Sequence, residues 1–269
     1  MALMSLHYQA LGSAVQQNRR KNAQLLVLVD ADNTLWDTDG VFANAQIKLL
    51  GSIENITGMK GSTNDQLNFV RQVDQAIAAQ HHLGLRYPPR LLIDALIFVL
   101  YGESIESAAK KAWREGAKSG LDRETVKIIE SVFLRDIASQ PSLLPGVRKG
   151  LATLSAMNAR TIVLTEGSRR RIARSIEYHE LGGLVERIFE APKSAKMFER
   201  VERYANSDRP VYIVGDQLTR DIKPANDAGL KTVYVPSKFQ PAWERQGKIE
   251  PWRLANRFDE AIKQIQDDQ

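Results

Sequence analysis

Five apolar residues in a row, Leu25-Leu26-Val27-Leu28-Val29, run into Asp30. A short unbroken apolar run suits a strand buried on both faces of a parallel sheet. Three more such runs follow far downstream, at residues 161–164, 211–214 and 232–235, with a weaker one at 187–190. Between them, apolar positions recur at helical spacing over residues 146–158, 168–179, 194–205 and 219–228. Strands alternating with helices read as βαβ units of an open, doubly wound parallel sheet.

Residues 37 to about 143 break this rhythm. No β-like run occurs there, and helical stretches are expected at 65–80, 90–101, 105–117 and 123–139. Pro88-Pro89 is placed to start one helix and Gly102 to end it. Pro141 and Pro145 flank the return to the α/β pattern. The fold class that follows is α/β, a Rossmann-like parallel sheet core with an inserted α-helical domain. The expected division is an N-terminal extension at 1–24, a core at 25–36 and 145–269, and the helical insertion at 37–144. In the extension, Leu3, Leu11 and Val15 give a weak helical stripe.

Composition narrows the class. The chain has 269 residues, 43% hydrophobic and 26% charged, an ordinary globular mix that excludes wholesale disorder. It has no cysteine, which removes disulfides, thiolate zinc sites and thiol nucleophiles together. A reducing cytoplasm fits. The longest apolar run, 91–101, contains Asp94 and falls short of the roughly 20 apolar residues of a membrane helix, so no membrane partner is expected. Arg19, Arg20 and Lys21 follow the N-terminal apolar residues rather than precede them, unlike a signal peptide. The net charge of +5 is spread along the chain and reads chiefly as a solvated surface, with a preference for anionic ligands as the alternative.

The ends of the strands carry the chemistry. The first runs into Asp30-Ala31-Asp32-Asn33-Thr34, two carboxylates at i, i+2 where an open α/β sheet has its ligand crevice. The run at 161–164 leads to Thr165-Glu166-Gly167-Ser168, a hydroxyl and a small residue at a helix start, where backbone N–H groups favour an anion. Lys193 follows the weak strand, with Lys196 as its rival. The run at 211–214 ends in Gly215-Asp216, with Asp221 five residues on; alone, that pair of acids also suits a helix cap. Carboxylates gathered in a crevice need a cation, and Mg²⁺ favours oxygen ligands.

In this order the motifs resemble the haloacid dehalogenase-like (HAD) superfamily: D-x-D-x-T at Asp30, Asp32 and Thr34, then Thr165, Lys193, and G-D-x-x-x-x-D at Gly215, Asp216 and Asp221. The resemblance covers 25–36 and 145–269, and it places an α-helical C1-type cap in the insertion. It implies that Asp30 is a nucleophile forming an aspartyl-phosphate and that Asp32 is the acid and base. Asp30, Asp216 and the Asp32 carbonyl are then Mg²⁺ ligands, and Asp221 binds the ion directly or through water. Thr165 and the N–H groups after it, from Glu166 on, hold the phosphoryl oxygens, and Lys193 neutralises charge. The segment lacks the family's common Lys-Pro pair, and Lys193 is favoured over Lys196 as the nearer to its strand. The resemblance also places a flap at 37–40, with Gly40 as a hinge and Trp36 and Phe42 as packing aromatics.

An acid at position 32 implies a phosphatase or, less commonly, a phosphomutase, because the family's dehalogenases release a halide that takes no proton. The expected substrate is a small phosphomonoester. A nucleic-acid end or nucleotide is the less favoured substrate, and a non-catalytic binding protein the other rival. Arg169, Arg170 and Arg171, with Arg174, open the helix after Thr165, where cations are disfavoured. They read as a solvated face, with a second substrate phosphate or a nucleic-acid backbone as the alternative. His81-His82 reads as a loop.

Overall fold

The computed structural model describes residues 25–61, 64–80, 87–115, 120–205, 210–241, 244 and 248–269. The extension at 1–24, its apolar stripe, and the His81-His82 pair lie outside them. Two compact units are present, the second being Thr38–Pro141 and the first the remainder of the chain.

The first unit is built on a six-stranded sheet: β1 (Leu26–Val29), β2 (Arg160–Thr165), β3 (Arg187–Glu190), β4 (Tyr212–Gly215), β5 (Lys231–Tyr234) and β6 (Arg253–Leu254). The order is β3-β2-β1-β4-β5-β6, with every pair parallel. Val27 and Val29 face one apolar layer, together with Val163, Tyr212 and Val214. Leu26 and Leu28 face the other, with Ile162, Leu164 and Ile213. A strand covered on both sides has no solvent face, so its sequence is an unbroken apolar run rather than an alternating one.

Helices supply the two layers. Leu151 and Leu154 of α6 (Val147–Ala156), Ile172 and Ile176 of α7 (Arg169–Tyr178), and Phe258, Ala261, Ile262 and Ile265 of α10 (Phe258–Gln266) pack on the first face. Phe198 of α8 (Ala195–Ala205) and Ala225 of the short α9 (Lys223–Asp227) cover the second. The chain leaves and re-enters this unit through paired segments: Trp36 bridges Leu143, and the Asp37 N–H donates to the Ser142 carbonyl at 2.9 Å.

The second unit holds α1 (Thr38–Thr57), α2 (Gln66–Gln80), α3 (Pro89–Leu100), α4 (Ile105–Glu115) and α5 (Arg123–Ile137) around a core of its own. Pro89 stands in the first turn of α3, where its missing N–H costs nothing. Asp122 caps α5, its Oδ1 accepting the Glu124 and Thr125 N–H groups at 3.0 and 2.9 Å. The expected flap at 37–40 is corrected: Thr38 onward is helix, and Gly40 lies in the first turn of α1. Asp39 sits in that turn, where the helix dipole favours an acid, and pairs with Arg71 at 2.9 Å. No helix among the described residues is long and apolar enough to cross a membrane.

Candidate active site

Strand order reverses between β1 and β4, which lie side by side at the middle of the sheet. Ligands of open α/β sheets bind beyond the carboxyl ends of the strands at such a reversal. β1 delivers Asp30 to this place and β4 delivers Asp216. The Asp30 N–H donates to the Val214 carbonyl at 2.9 Å, so the nucleophile candidate is still held by the sheet ladder. A single π-helical turn, Leu218–Ile222, then brings Asp221 back against Gly215. The Gln217 N–H donates to Asp221 Oδ2 at 3.0 Å and fixes its carboxylate.

Donor oxygens of Asp30, Asp216 and Asp221 all lie within 4.8 Å of one another, and the three residues are 6%, 3% and 1% exposed. Lys193 reaches them from the segment after β3. Its ammonium lies 2.5 Å from Asp221 Oδ1 and also contacts Asp30 Oδ1. Burial opposes the charge on Lys193, but Asp221 and Asp30 outweigh it and hold the ammonium above the usual lysine range. Burial pushes the Asp30 carboxyl up to about 7, with Lys193 pulling it back. Burial, Asp30 and Asp221 push Asp216 well above the usual carboxylate range. One ammonium among three buried carboxylates leaves negative charge uncompensated. An all-oxygen donor set with that surplus fits a hard divalent cation such as Mg²⁺.

At the end of β2, the buried Thr165 Oγ accepts the Gly167 N–H at 2.9 Å, which leaves its own proton free to be donated. Glu166 turns its carboxylate sideways. It accepts the Lys193 N–H at 3.0 Å and pairs with Arg220 Nε at 3.3 Å, so it ties the loops of β2, β3 and β4 together. Any anion contact at this position comes from its backbone, not its like-charged side chain. Lys196 lies within α8, exposed.

Asp32 holds a different set of partners. The segment from Asp32 to Trp36 closes on itself as a bridge, with Asn33 in the left-handed region at φ 59°. Trp36 Nε1 donates to Asp32 Oδ1 at 3.2 Å. Arg171 Nη1 donates to the same oxygen at 2.9 Å, and Nη2 contacts Oδ2. The expectation of a uniformly solvated Arg face is therefore corrected. Arg169 and Arg170 are exposed, whereas Arg171 is an ion-pair partner of a site residue. Charge alone ranks the three equally. What separates them is the contact that Arg171 makes with Asp32. Trp36 is fully buried, as packing requires, but its indole N–H adds a donor that an aromatic stripe does not announce.

No curated protein matches the chain by sequence. Solved structures share its fold. A haloacid dehalogenase-like family hydrolase from Xanthomonas campestris superposes with a TM-score of 0.59 at 17% identity, over 91% of each chain. YfnB of Bacillus subtilis, described as a HAD-hydrolase and solved bound to magnesium, gives 0.58 at 19% identity, over 91% of this chain and 100% of its own. The L-2-haloacid dehalogenase RSc1362 gives 0.58 at 14%, with the same coverage. At these identities the likeness is one of fold. A family model for haloacid dehalogenase-like hydrolases matches residues 25–229, and the chain belongs to that family.

Proposed function

We propose that the protein is a Mg²⁺-dependent phosphatase acting on a small phosphomonoester. The observation that carries this reading is the acid pair of β1: Asp30 among the buried donor oxygens, and Asp32 two residues on, outside that cluster and held by its own donors. An alkoxide leaving group needs a proton and a halide does not, so a second acid beside the nucleophile has work to do only in ester chemistry.

In this reading an Asp30 oxygen attacks phosphorus, and the ester P–O bond breaks as an aspartyl-phosphate forms. Asp32 gives its proton to the departing oxygen, then takes one from the water that hydrolyses the acyl phosphate. Lys193 offsets charge at Asp30, and the Thr165 hydroxyl with the N–H groups after it holds phosphoryl oxygens. Asp30, Asp216 and Asp221 would hold the metal ion, which supplies positive charge beside the transferring group. A solved neighbour of the fold carries magnesium, which supports that choice of ion.

The test is release of inorganic phosphate from a panel of phosphorylated metabolites, p-nitrophenyl phosphate and a 5′-phosphorylated oligonucleotide, with Mg²⁺ or with EDTA. Turnover of small esters that needs Mg²⁺ and disappears in Asp30→Asn is expected. Turnover that survives chelation, or that Asp30→Asn retains, removes the reading. Selective cleavage of the oligonucleotide makes the protein a nucleic-acid-end phosphatase instead.

A further inference from the structure

We propose that Arg171 and Trp36 are positioning residues for Asp32, setting the direction in which its carboxyl meets the leaving-group oxygen. The proposal rests on the phosphatase reading above and assigns these two side chains a part in it.

Asp32 stands in a tight turn with its side chain 30% exposed, so packing alone does not fix its torsions. Two donors do, one four residues on and the other 139 residues away. Trp36 is fully buried, which makes its indole N–H a fixed point, and it binds Oδ1. Arg171 arrives from α7 and spans both carboxylate oxygens with its two terminal nitrogens. A guanidinium fork matches a carboxylate edge to edge and so defines the plane of the group, which a point charge cannot do. α7 is itself anchored, because the next residue, Ile172, is fully buried in the sheet's apolar layer.

Two further observations favour positioning over a stray surface pair. A Cβ at Gly167 would lie 3.1 Å from Arg171 Nη2 and 3.2 Å from Thr165 Oγ1, so the loop after β2 passes close to the guanidinium. Arg171 also lies in the first turn of α7, where the helix dipole disfavours a cation, and an ion pair this exposed adds little stability in return. Proton transfer is sensitive to such placement, since the acid must stay within hydrogen-bond reach of the atom it protonates.

Pre-steady-state rates of aspartyl-phosphate formation on two esters test this, because the later hydrolysis uses Asp32 whichever ester was bound. Ethyl phosphate needs a proton on its leaving oxygen; p-nitrophenyl phosphate scarcely does. Arg171→Ala should lower the phosphorylation rate about 100-fold on ethyl phosphate and less than about threefold on p-nitrophenyl phosphate, with substrate affinity nearly unchanged on both. Asp32→Asn should show the same selectivity, and Arg171→Lys should regain part of the loss. Trp36→Phe should shift the phosphorylation rate in the same sense by a smaller factor. Weaker substrate affinity at an unchanged phosphorylation rate makes Arg171 a substrate-binding cation and overturns the proposal. Equal losses on both esters, or none, also overturn it. If Arg171→Ala fails to fold, Arg171→Lys carries the same comparison. A wild type inert on both esters removes the phosphatase reading and this role with it; an active wild type with unselective variants removes this role alone.

Discussion

Gly215 and Asp221 occupy one space: a Cβ on Gly215 would fall 2.4 Å from Asp221 Cγ and 2.5 Å from its Oδ2. The last residue of β4 must therefore lack a side chain if the π-helical turn is to fold Asp221 back onto the strand end. Gly215→Ala should push Asp221 away from Lys193 and from the Gln217 N–H together. Urea unfolding should show a loss of about 1–3 kcal/mol, as for other overpacked sites. Calorimetric titration should show Mg²⁺ affinity falling about tenfold or more, because the ligand's supporting contacts go with it. Wild-type affinity in Gly215→Ala would mean that Asp221 is not a ligand.

Lys193 is shared by two buried carboxylates, and its removal has a metal-dependent cost. Lys193→Met leaves Asp30 and Asp221, side chains 9% and 1% exposed, facing each other without the ammonium. Removing one partner of a buried pair costs about 3–5 kcal/mol. A divalent cation on the same acids should offset part of that. Thermal unfolding should therefore show a large Tm deficit in EDTA that narrows as MgCl₂ is added. A deficit indifferent to Mg²⁺ would argue that no ion binds beside Lys193.

How much of this was legible in the sequence depends on what each feature asks of a residue. The central strands announce themselves because burial on both faces leaves only apolar residues, as in Leu26–Val29. The acids at their ends are visible because a carboxylate directly after such a run is costly to bury without a cap or a cation, and the pattern recurs at two strand ends. β6 is two exposed residues and leaves no pattern. α1 is blurred by Gln46 and Glu54, both buried, and by Gly40 and Gly51 within the helix. α10 has clean spacing at Phe258, Ala261, Ile262 and Ile265, yet the expected elements end before it. The contact of Arg171 with Asp32 spans 139 residues, and nothing local in the chain encodes it.

Glu54 makes the helical unit acid-sensitive. It is 4% exposed; its Oε1 accepts the Gly61 N–H at 2.8 Å and its Oε2 the Lys60 ammonium at 3.1 Å. The Gly61 N–H foremost, with Lys60 helping, holds its carboxyl below the usual glutamate value. A folded-state value below the unfolded one means the stabilisation is fully present above the unfolded value of about 4.3 and is lost as pH falls through the folded one. Glu54→Gln should be less stable than wild type at neutral pH, by about 1–2 kcal/mol for a hydrogen bond to a charged group. The gap should close as pH is lowered past about 4. A pH-independent gap in urea melts would assign the effect to packing instead of charge.

Glu166 offers the sharpest local readout, because its carboxylate supports the backbone that carries Lys193. It takes the Lys193 N–H at 3.0 Å and Arg220 Nε at 3.3 Å, and its side chain is 29% exposed. An ion pair of that exposure contributes little to global stability, so Glu166→Ala should leave the urea midpoint nearly unchanged. The Lys193 amide is a different matter. Its protection depends on one acceptor, and removal of that acceptor permits local opening without global unfolding. Hydrogen exchange at Lys193 should quicken about tenfold in Glu166→Ala, the equivalent of one charged-acceptor hydrogen bond. Glu166→Gln separates the two contacts: its amide oxygen still accepts the Lys193 N–H, but its charge toward Arg220 is gone. Exchange near the wild-type rate in Glu166→Gln and faster exchange in Glu166→Ala would show that the hydrogen bond, not the ion pair, holds the lysine segment in place. Equal exchange in all three proteins would mean that the segment is held by Lys193's own ammonium between Asp30 and Asp221, and that Glu166 is a bystander.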